Sequence, residues 1–317
     1  MHKDFFDKII CGDCIKVLNK FDKPFADLIF ADPPFNIGYK YDKYKDNVQS
    51  DKYIEWTKEW MAACKKVLNP SGSFYIAIGD EYAADVKNIA ERELGLFMRN
   101  WIIWHYTFGQ QMKNKFARSH THIFYFVKDK TNFTFNDHKV RIPSDRQLIY
   151  NDKRANSQGK MPDDVWNGYP RVCGTFKERA GWHPCQMPES LLRRIISASS
   201  NPGDCVLDSF NGSGTTVVVA KQLGRKYVGI DISKEYVRNT EKRLCNVENK
   251  KSLNLFFEPA ELSELKHLLV DMQISTDEIK KDKKLMNLFT NQFNVRMNGK
   301  KQYSAESVCT ALEESAG

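Results

Sequence analysis

Two stretches of this chain combine residue types and spacing that could do chemistry. The first is Asp32-Pro33-Pro34-Phe35. A carboxylate and a backbone carbonyl, presented by a turn that consecutive prolines stiffen, make a pair of fixed hydrogen-bond acceptors. Such a pair suits a planar amino nitrogen whose lone pair is delocalised into a ring. Held by two acceptors, that nitrogen can turn its lone pair toward an electrophile, while the ring of Phe35 offers a stacking face. Taken alone, the four residues are better read as a proline-rich turn after a strand.

The second stretch is Asp208-Ser209-Phe210-Asn211-Gly212-Ser213-Gly214-Thr215-Thr216, with Gly229-Ile230-Asp231 one helix further on. An acid closes a strand, glycines make a turn that admits close backbone approach, and a helix opens. The helix N-terminus favours an anionic group, a carboxylate as readily as a phosphate. Asp231 stands where an acid can accept hydrogen bonds from ribose hydroxyls. The turn is not G-x-G-x-x-G, because Val217 occupies the last position. It is no phosphate-binding P-loop either, since no Lys-Ser/Thr follows the glycines. A nucleoside-bearing ligand and a plain tight turn both fit it.

Both motifs need strands that deliver them to one place. Ala26–Ala31 is a short apolar run before Asp32, which predicts a buried strand. Residues 51–68 have helical spacing and 72–79 reads as a second strand. A helix over 80–93 and strands over 100–107 and 120–127 follow. Regularity is lost from 128 to 182, a length that suggests an insertion. It returns with a helix at 188–196, a strand at 205–208, a helix at 215–223, a strand at 227–231 and a helix to about 247. Alternation of this kind predicts an α/β fold with a doubly wound, mostly parallel sheet, which binds ligands at the carboxyl ends of its strands. Residues 259–317 read as appended helices whose role in dimer contact, substrate contact or packing stays open.

Composition narrows the class. With 317 residues, 41% hydrophobic and 28% charged, the chain is an ordinary globular one. No apolar run approaches the roughly 18 residues of a membrane span. The first residues lack a signal-type apolar stretch, so a soluble cytoplasmic protein is expected. The eight cysteines are scattered, and the single C-x-x-C at Cys11 and Cys14 has no second pair, so neither a disulfide scaffold nor a metal site is expected. The net charge is +8, and residues 108–182 hold 14 basic against 7 acidic residues. A concentrated positive segment suits a polyanion, although a solvated surface explains charge alone equally well. Trp166, Tyr169, His120 and His122 lie in the same region and could stack on bases.

Taken together and in this order, the motifs resemble those of amino-methylating DNA methyltransferases that use S-adenosylmethionine, in the permuted β arrangement. There D-P-P-F comes first, a target-recognition region follows, and F-x-G-x-G comes last. The resemblance covers residues 8–245. Cys11-Gly12-Asp13-Cys14 is similar to the family's acidic turn near the cofactor adenine. His183-Pro184-Cys185-Gln186-Met187-Pro188 is similar to H-P-x-Q-K-P, with Met187 in place of lysine. Asp163-Asp164-Val165-Trp166 resembles a D-V-W element, and Ser209 stands where proline is frequent.

The resemblance implies a Rossmann-like methyltransferase fold with an inserted recognition region and a C-terminal helical extension. Its expected segments are a catalytic half over 1–107, the end of that half plus the basic recognition insert over 108–182, a cofactor half over 183–254, and helices over 255–317. It implies catalytic roles for Asp32, Pro33, Pro34 and Phe35. Cofactor contacts are implied for Asp13, Cys14, Asp32, His183, Gln186, Pro188, Asp208, Phe210, Gly212, Ser213, Gly214, Thr215, Thr216 and Asp231. In the basic segment, Lys113, Lys115, Arg118, Arg141, Arg146, Lys153, Arg154 and Arg171 are expected to hold duplex DNA. Asp32 in the motif favours adenine N6 as acceptor, cytosine N4 being the alternative and a catalytically silent DNA-binding module the reading from another class. Methylation of a protein glutamine fits less well, because that family carries N-P-P-Y with the glycine motif ahead of it. Homodimerisation and a cognate restriction nuclease remain open as partners.

Overall fold

The computed structural model describes residues 5–110, 112–248, 257–299 and 301–314. Two compact units emerge, one from residues 1–135 and 164–247, the other from 136–163 and 248–317. These cut the chain differently from the four segments expected. The stretch 136–163, expected within the recognition insert, belongs with the C-terminal helices. The expected boundary at 254/255 lies outside the described residues.

The first unit is built on one eight-stranded sheet. Its strands, in chain order, are β1 (Lys8–Cys11), β2 (Ala26–Ala31), β3 (Leu68–Ile78), β4 (Phe97–Gln110), β5 (Arg118–Val127), β6 (Val165–Trp166), β7 (Cys205–Asp208) and β8 (Lys226–Asp231). Across the sheet they run β1-β8-β7-β2-β3-β5-β4-β6. The five strands from β1 to β3 are mutually parallel, β5 is antiparallel to both β3 and β4, and β6 is parallel to β4. This is the mostly parallel α/β sheet that the alternation predicts. Two strands escaped that reading. β1 and β6 are too short, at four and two residues, to display a period.

Helices α1 (Cys14–Leu18), α2 (Ser50–Val67) and α3 (Ala83–Asn88) belong to the first half of the chain. α2 turns Trp60, Met61, Cys64 and Val67 inward onto Ile29, Ala31, Phe74 and Ile76. It ends at Val67, and β3 begins at once. Pro70 cannot donate to a ladder, so pairing with β2 breaks between Ala26↔Leu68 and Leu28↔Ser73. The helix expected over 80–93 exists as α3 plus a wider turn over Ile89–Glu93.

Within the 136–163 stretch lies α4 (Asp145–Leu148). The second half of the sheet unit adds α5 (Glu189–Ser199), α6 (Thr215–Gln222) and α7 (Lys234–Glu248). Burial of β2, β3 and β7 on both faces explains their continuous apolar runs.

The second unit has its own core. Helices α8 (Pro259–Met272), α9 (Thr276–Lys281), α10 (Lys283–Arg296) and α11 (Ala305–Glu314) enclose Leu265, Leu268, Phe289, Phe293, Val308 and Leu312. The segment 136–163 has few apolar side chains and borrows its order from these helices. The fully buried Arg296 guanidinium donates to the carbonyls of Val140 (3.3 Å) and Arg141 (3.0 Å). It also pairs with Asp271 (2.7 Å) and Glu264 (2.9 Å). Asn291 donates to the Ser157 carbonyl at 2.9 Å. Among the described residues, no helix is long and apolar enough to cross a membrane.

Candidate active site

Strand order reverses between β7 and β2, and there the two motifs meet. Register pairs Phe30 with Asp208, Asp208 with Gly229, and Cys11 with Asp231. Four neighbouring parallel strands, β1, β8, β7 and β2, therefore end in Asp13, Asp231, Asp208 and Asp32 or lead directly to them. A cavity of about 160 Å³ opens over these ends and is lined by all four carboxylates. This is the position a doubly wound sheet reserves for a ligand.

The electrostatics of the cavity are one-sided. Asp42 is a fifth aspartate in its lining, against one lysine, Lys43. Burial pushes the Asp32 carboxyl up to about 7, and the charge of Asp208 adds to the rise. Asp208 is likewise pushed up to about 7 by burial and by Asp231, despite hydrogen bonds from Thr216 and the Phe210 N–H. Asp231 is raised too, mainly by burial. Like charges confined in one apolar hollow resist joint ionisation, and a bound cation would relieve them. Such a set of acceptors fits a ligand carrying positive charge and hydroxyls, and disfavours a polyphosphate.

The glycine turn is held at several points. Gly212, with φ at +46°, donates its N–H to Asp231 Oδ2 at 2.7 Å, and Ser233 N–H reaches Oδ1 at 2.8 Å. The backbone is so close to the His183 ring that a Cβ on Gly212 would lie 2.9 Å from Nε2. Gly214 is left-handed at φ +75°, and a Cβ there would stand 2.4 Å from Thr240 Cγ2. Arg243 braces the turn through the Ser213 carbonyl (2.7 Å) and Glu189 (2.8 Å). Phe210 is fixed edge-on between Trp56 and Trp60 of α2. His183 itself, desolvated by burial, is held down to about 4 and stays neutral at physiological pH.

On the other wall, the hydroxyl of Tyr53 donates to the Pro34 carbonyl at 2.6 Å. That bond fixes the turn and occupies the second proline's acceptor. Asp32 and Pro34 line the cavity, whereas Pro33 is buried and outside the lining. Phe35 is outside the lining, its ring 3.3 Å from the point where a Cβ on Gly79 would stand. The aromatic faces on the cavity belong to Phe30, Tyr41, Tyr44, Trp56, Phe210 and Tyr236.

Several of these residues had no signal in the sequence. Tyr41, Asp42, Lys43 and Tyr44 come from an irregular loop over 36–49, organised by Asn36 and Asp46. The buried Asp46 carboxylate accepts from the N–H groups of Asn36 (2.7 Å), Ile37 (3.2 Å) and Tyr39 (2.8 Å). Asn36, at φ +58°, exchanges hydrogen bonds with the backbone of Val48. The loop is then tied to the end of β8, because Ser233 Oγ, two residues past Asp231, donates to Asp42 Oδ2 at 2.7 Å.

Of the expected cofactor contacts, Asp13, Cys14, Asp32, His183, Asp208, Phe210, Gly212, Ser213, Thr215, Thr216 and Asp231 line the cavity. Gly214, Gln186 and Pro188 do not. Gly214 caps α6 from behind. Gln186 accepts from the Ala180 N–H and donates to the Glu178 carbonyl, both at 2.7 Å, shaping the loop that carries His183. Pro188 caps α5. Among the described residues no group of His, Cys, Asp and Glu is arranged to hold a metal ion.

The expected DNA contacts divide between the units. On the sheet unit, Lys113 and Lys115 are exposed on the β4–β5 connection. Arg118 pairs with Asp80 (2.9 Å) and Glu81, and Arg171 lies over the ring of Tyr106. On the helical unit, Arg146, Lys153 and Arg154 are not buried, and the side chains of Ile149 and Tyr150 beside them are exposed, while Arg154 also meets Asp152. Arg141 is engaged with Asp137 and the Gly159 carbonyl, which gives it a structural task. Trp166 and Tyr169 are buried beneath Arg194 and cannot stack on a base.

Comparison with known proteins gives a consistent result. The profile of the N6/N4 family described as DNA methylase matches residues 26–242. The chain is 40% identical over 237 residues to the type II methyltransferase M.HpaI of Haemophilus parainfluenzae, covering 75% of this chain and 74% of that one. It is also 40% identical over 246 residues to the DNA adenine methyltransferase YhdJ of Escherichia coli (strain K12), covering 74% and 82%. Among solved structures, the PvuII cytosine-N4-specific DNA methyltransferase gives a TM-score of 0.59 at 18% identity, covering 85% of this chain and 97% of that one. The M1.HpyAVI–SAM complex gives 0.55 at 24% identity, covering 75% and 98%. Both share the fold.

Proposed function

Because the chain belongs to the N6/N4 DNA methylase family, we propose that it transfers the methyl group of S-adenosylmethionine to the N6 amino group of adenine in duplex DNA. The observation that carries this reading is the meeting of Asp32 with Asp208 and Asp231 in one cavity. When bound, S-adenosylmethionine supplies a methyl group already activated by its sulfonium. The cavity's acceptors fit it: Asp231 would hold the ribose hydroxyls, Asp13 the adenine edge, and Asp208 with the glycine turn the charged methionine end. Neutral His183 packs the turn without adding a competing cation.

On the acceptor side the chain's own residues set the geometry. The target base leaves the duplex stack and its amino group is held by the Asp32 carboxylate and the Pro33 carbonyl. Tyr53 engages the Pro34 carbonyl and so fixes the turn that presents the other two acceptors. Alignment is most of the catalytic task, since in-line displacement needs nucleophile, methyl and leaving sulfur on one axis. Asp32 as the leading residue of the motif, together with the 40% identity to a DNA adenine methyltransferase, favours adenine over cytosine. The type II name of M.HpaI favours a modification role beside a restriction nuclease.

The test is incubation with duplex DNA and methyl-labelled cofactor, followed by nucleoside mass analysis. Label in N6-methyladenine is the expected result. Label in N4-methylcytosine would overturn the base assignment, and unlabelled DNA would overturn the activity.

A further inference from the structure

The connection between β4 and β5 carries the most exposed large apolar side chain in the described residues. Phe116 is 99% exposed, and Met112 on the same connection is also exposed. Single exposed apolar residues are common and need no explanation. This one differs in its flanks and its anchor. Residues 108–118 contain Lys113, Lys115 and Arg118 and no acid. Lys113, Asn114, Lys115 and Ala117 are all exposed with it.

The anchor ties the hairpin to the chemistry. Arg118, at the foot of β5, binds Asp80 and Glu81 just past the end of β3. The Glu81 carboxylate and the Phe35 ring both crowd the same point above Gly79, at 3.0 and 3.3 Å from where its Cβ would be. β5 lies beside β3, with His122 opposite Ile78. The foot of the hairpin is thus fixed next to the turn that carries Asp32, at the ligand-binding end of the sheet.

We propose that Phe116 enters the duplex at the place the target base vacates, while Lys113 and Lys115 hold the neighbouring phosphates. The inference rests on the DNA-methylating reading and adds a positioning residue to it. Extruding a base leaves a gap in the stack, and an apolar wedge that fills it stabilises the extruded state. Cationic flanks match the charge of the two strands beside the gap. Phe116 touches neither the methyl donor nor the accepting nitrogen, so it acts through the population of extruded base.

The experiment compares wild type, Phe116→Ala and Phe116→Trp on two duplexes containing the mapped site. One is fully paired, and the other has an abasic position opposite the target base. Cofactor binding and melting temperature of each variant report on folding. F116A should lose about tenfold or more in kcat/KM on the paired duplex and recover to near wild type on the weakened one, since extrusion is most costly when the base is paired. F116W should retain activity on both. Equal activity of F116A and wild type on the paired duplex would overturn the inference. An equal loss on both duplexes would also do so, by showing a structural role. If wild type methylates no DNA at all, the parent reading fails first and is recognised as the failure.

Discussion

Phe30 stands opposite Asp208 across the parallel strands β2 and β7, so Asp32, two residues further on, and Asp208 share one hollow despite their distance in sequence. The charge of Asp208 makes Asp32 hold its proton more tightly. Their proximity concentrates negative charge in one cavity.

The pH dependence of cofactor binding follows from that pair. Both carboxyls are raised above the ordinary range to about 7, with burial as the leading cause. A raised carboxyl favours the free folded protein when protonated. That stability is present below the ordinary carboxylate range and is lost as pH rises through about 7. A cationic ligand favours the ionised forms, so affinity for S-adenosylmethionine should rise from about pH 6 to about pH 8. Calorimetric titrations at the two values check this, as does a larger ligand-induced rise in melting temperature at the higher pH. Affinity independent of pH would contradict it.

Gly214→Ala should damage the cofactor half of the site. The left-handed backbone and the 2.4 Å approach to Thr240 leave no room for a methyl group. A loss of about 1–3 kcal/mol in stability is expected, with weakened cofactor binding. Adding Thr240→Ala should restore part of the stability by removing the nearest atoms. Thermal melts of the single and double variants decide the matter.

In the helical unit, Arg296→Met should be severe. The substitution leaves Asp271 and Glu264 without their buried cation and frees the carbonyls of Val140 and Arg141. Removing one partner from a buried ionic network costs about 3–5 kcal/mol. Chemical denaturation measures the loss, and limited proteolysis within 136–163 should accelerate in parallel. An unchanged cleavage rate there would show that the segment does not depend on Arg296.

Much of the sheet was legible because burial on both faces writes continuous apolar runs, as in Ala26–Ala31 and Cys205–Asp208. The cofactor side of the cavity was legible because close backbone approach demands glycine, and Gly212 under His183 shows why. The loop over 36–49 was not, since Asp46 organises it through backbone N–H groups that leave no period in the side chains. Nor was the union of 136–163 with the C-terminal helices, which depends on one arginine binding carbonyls far away in sequence. Charge counting placed Arg141 at the DNA, whereas its ion pair with Asp137 gives it work inside the fold.

The most direct measurement uses the Asp32→Asn variant and follows methyl transfer and cofactor binding side by side. The amide keeps the size of the side chain but removes the charged acceptor proposed to hold the amino group. Transfer to duplex DNA should fall by a factor on the order of 10²–10³, the usual cost of losing one preorganised polar group. Cofactor binding should persist, because Asp13, Asp208 and Asp231 still line the cavity. Full transfer activity in that variant, or cofactor binding lost together with transfer, would contradict the account.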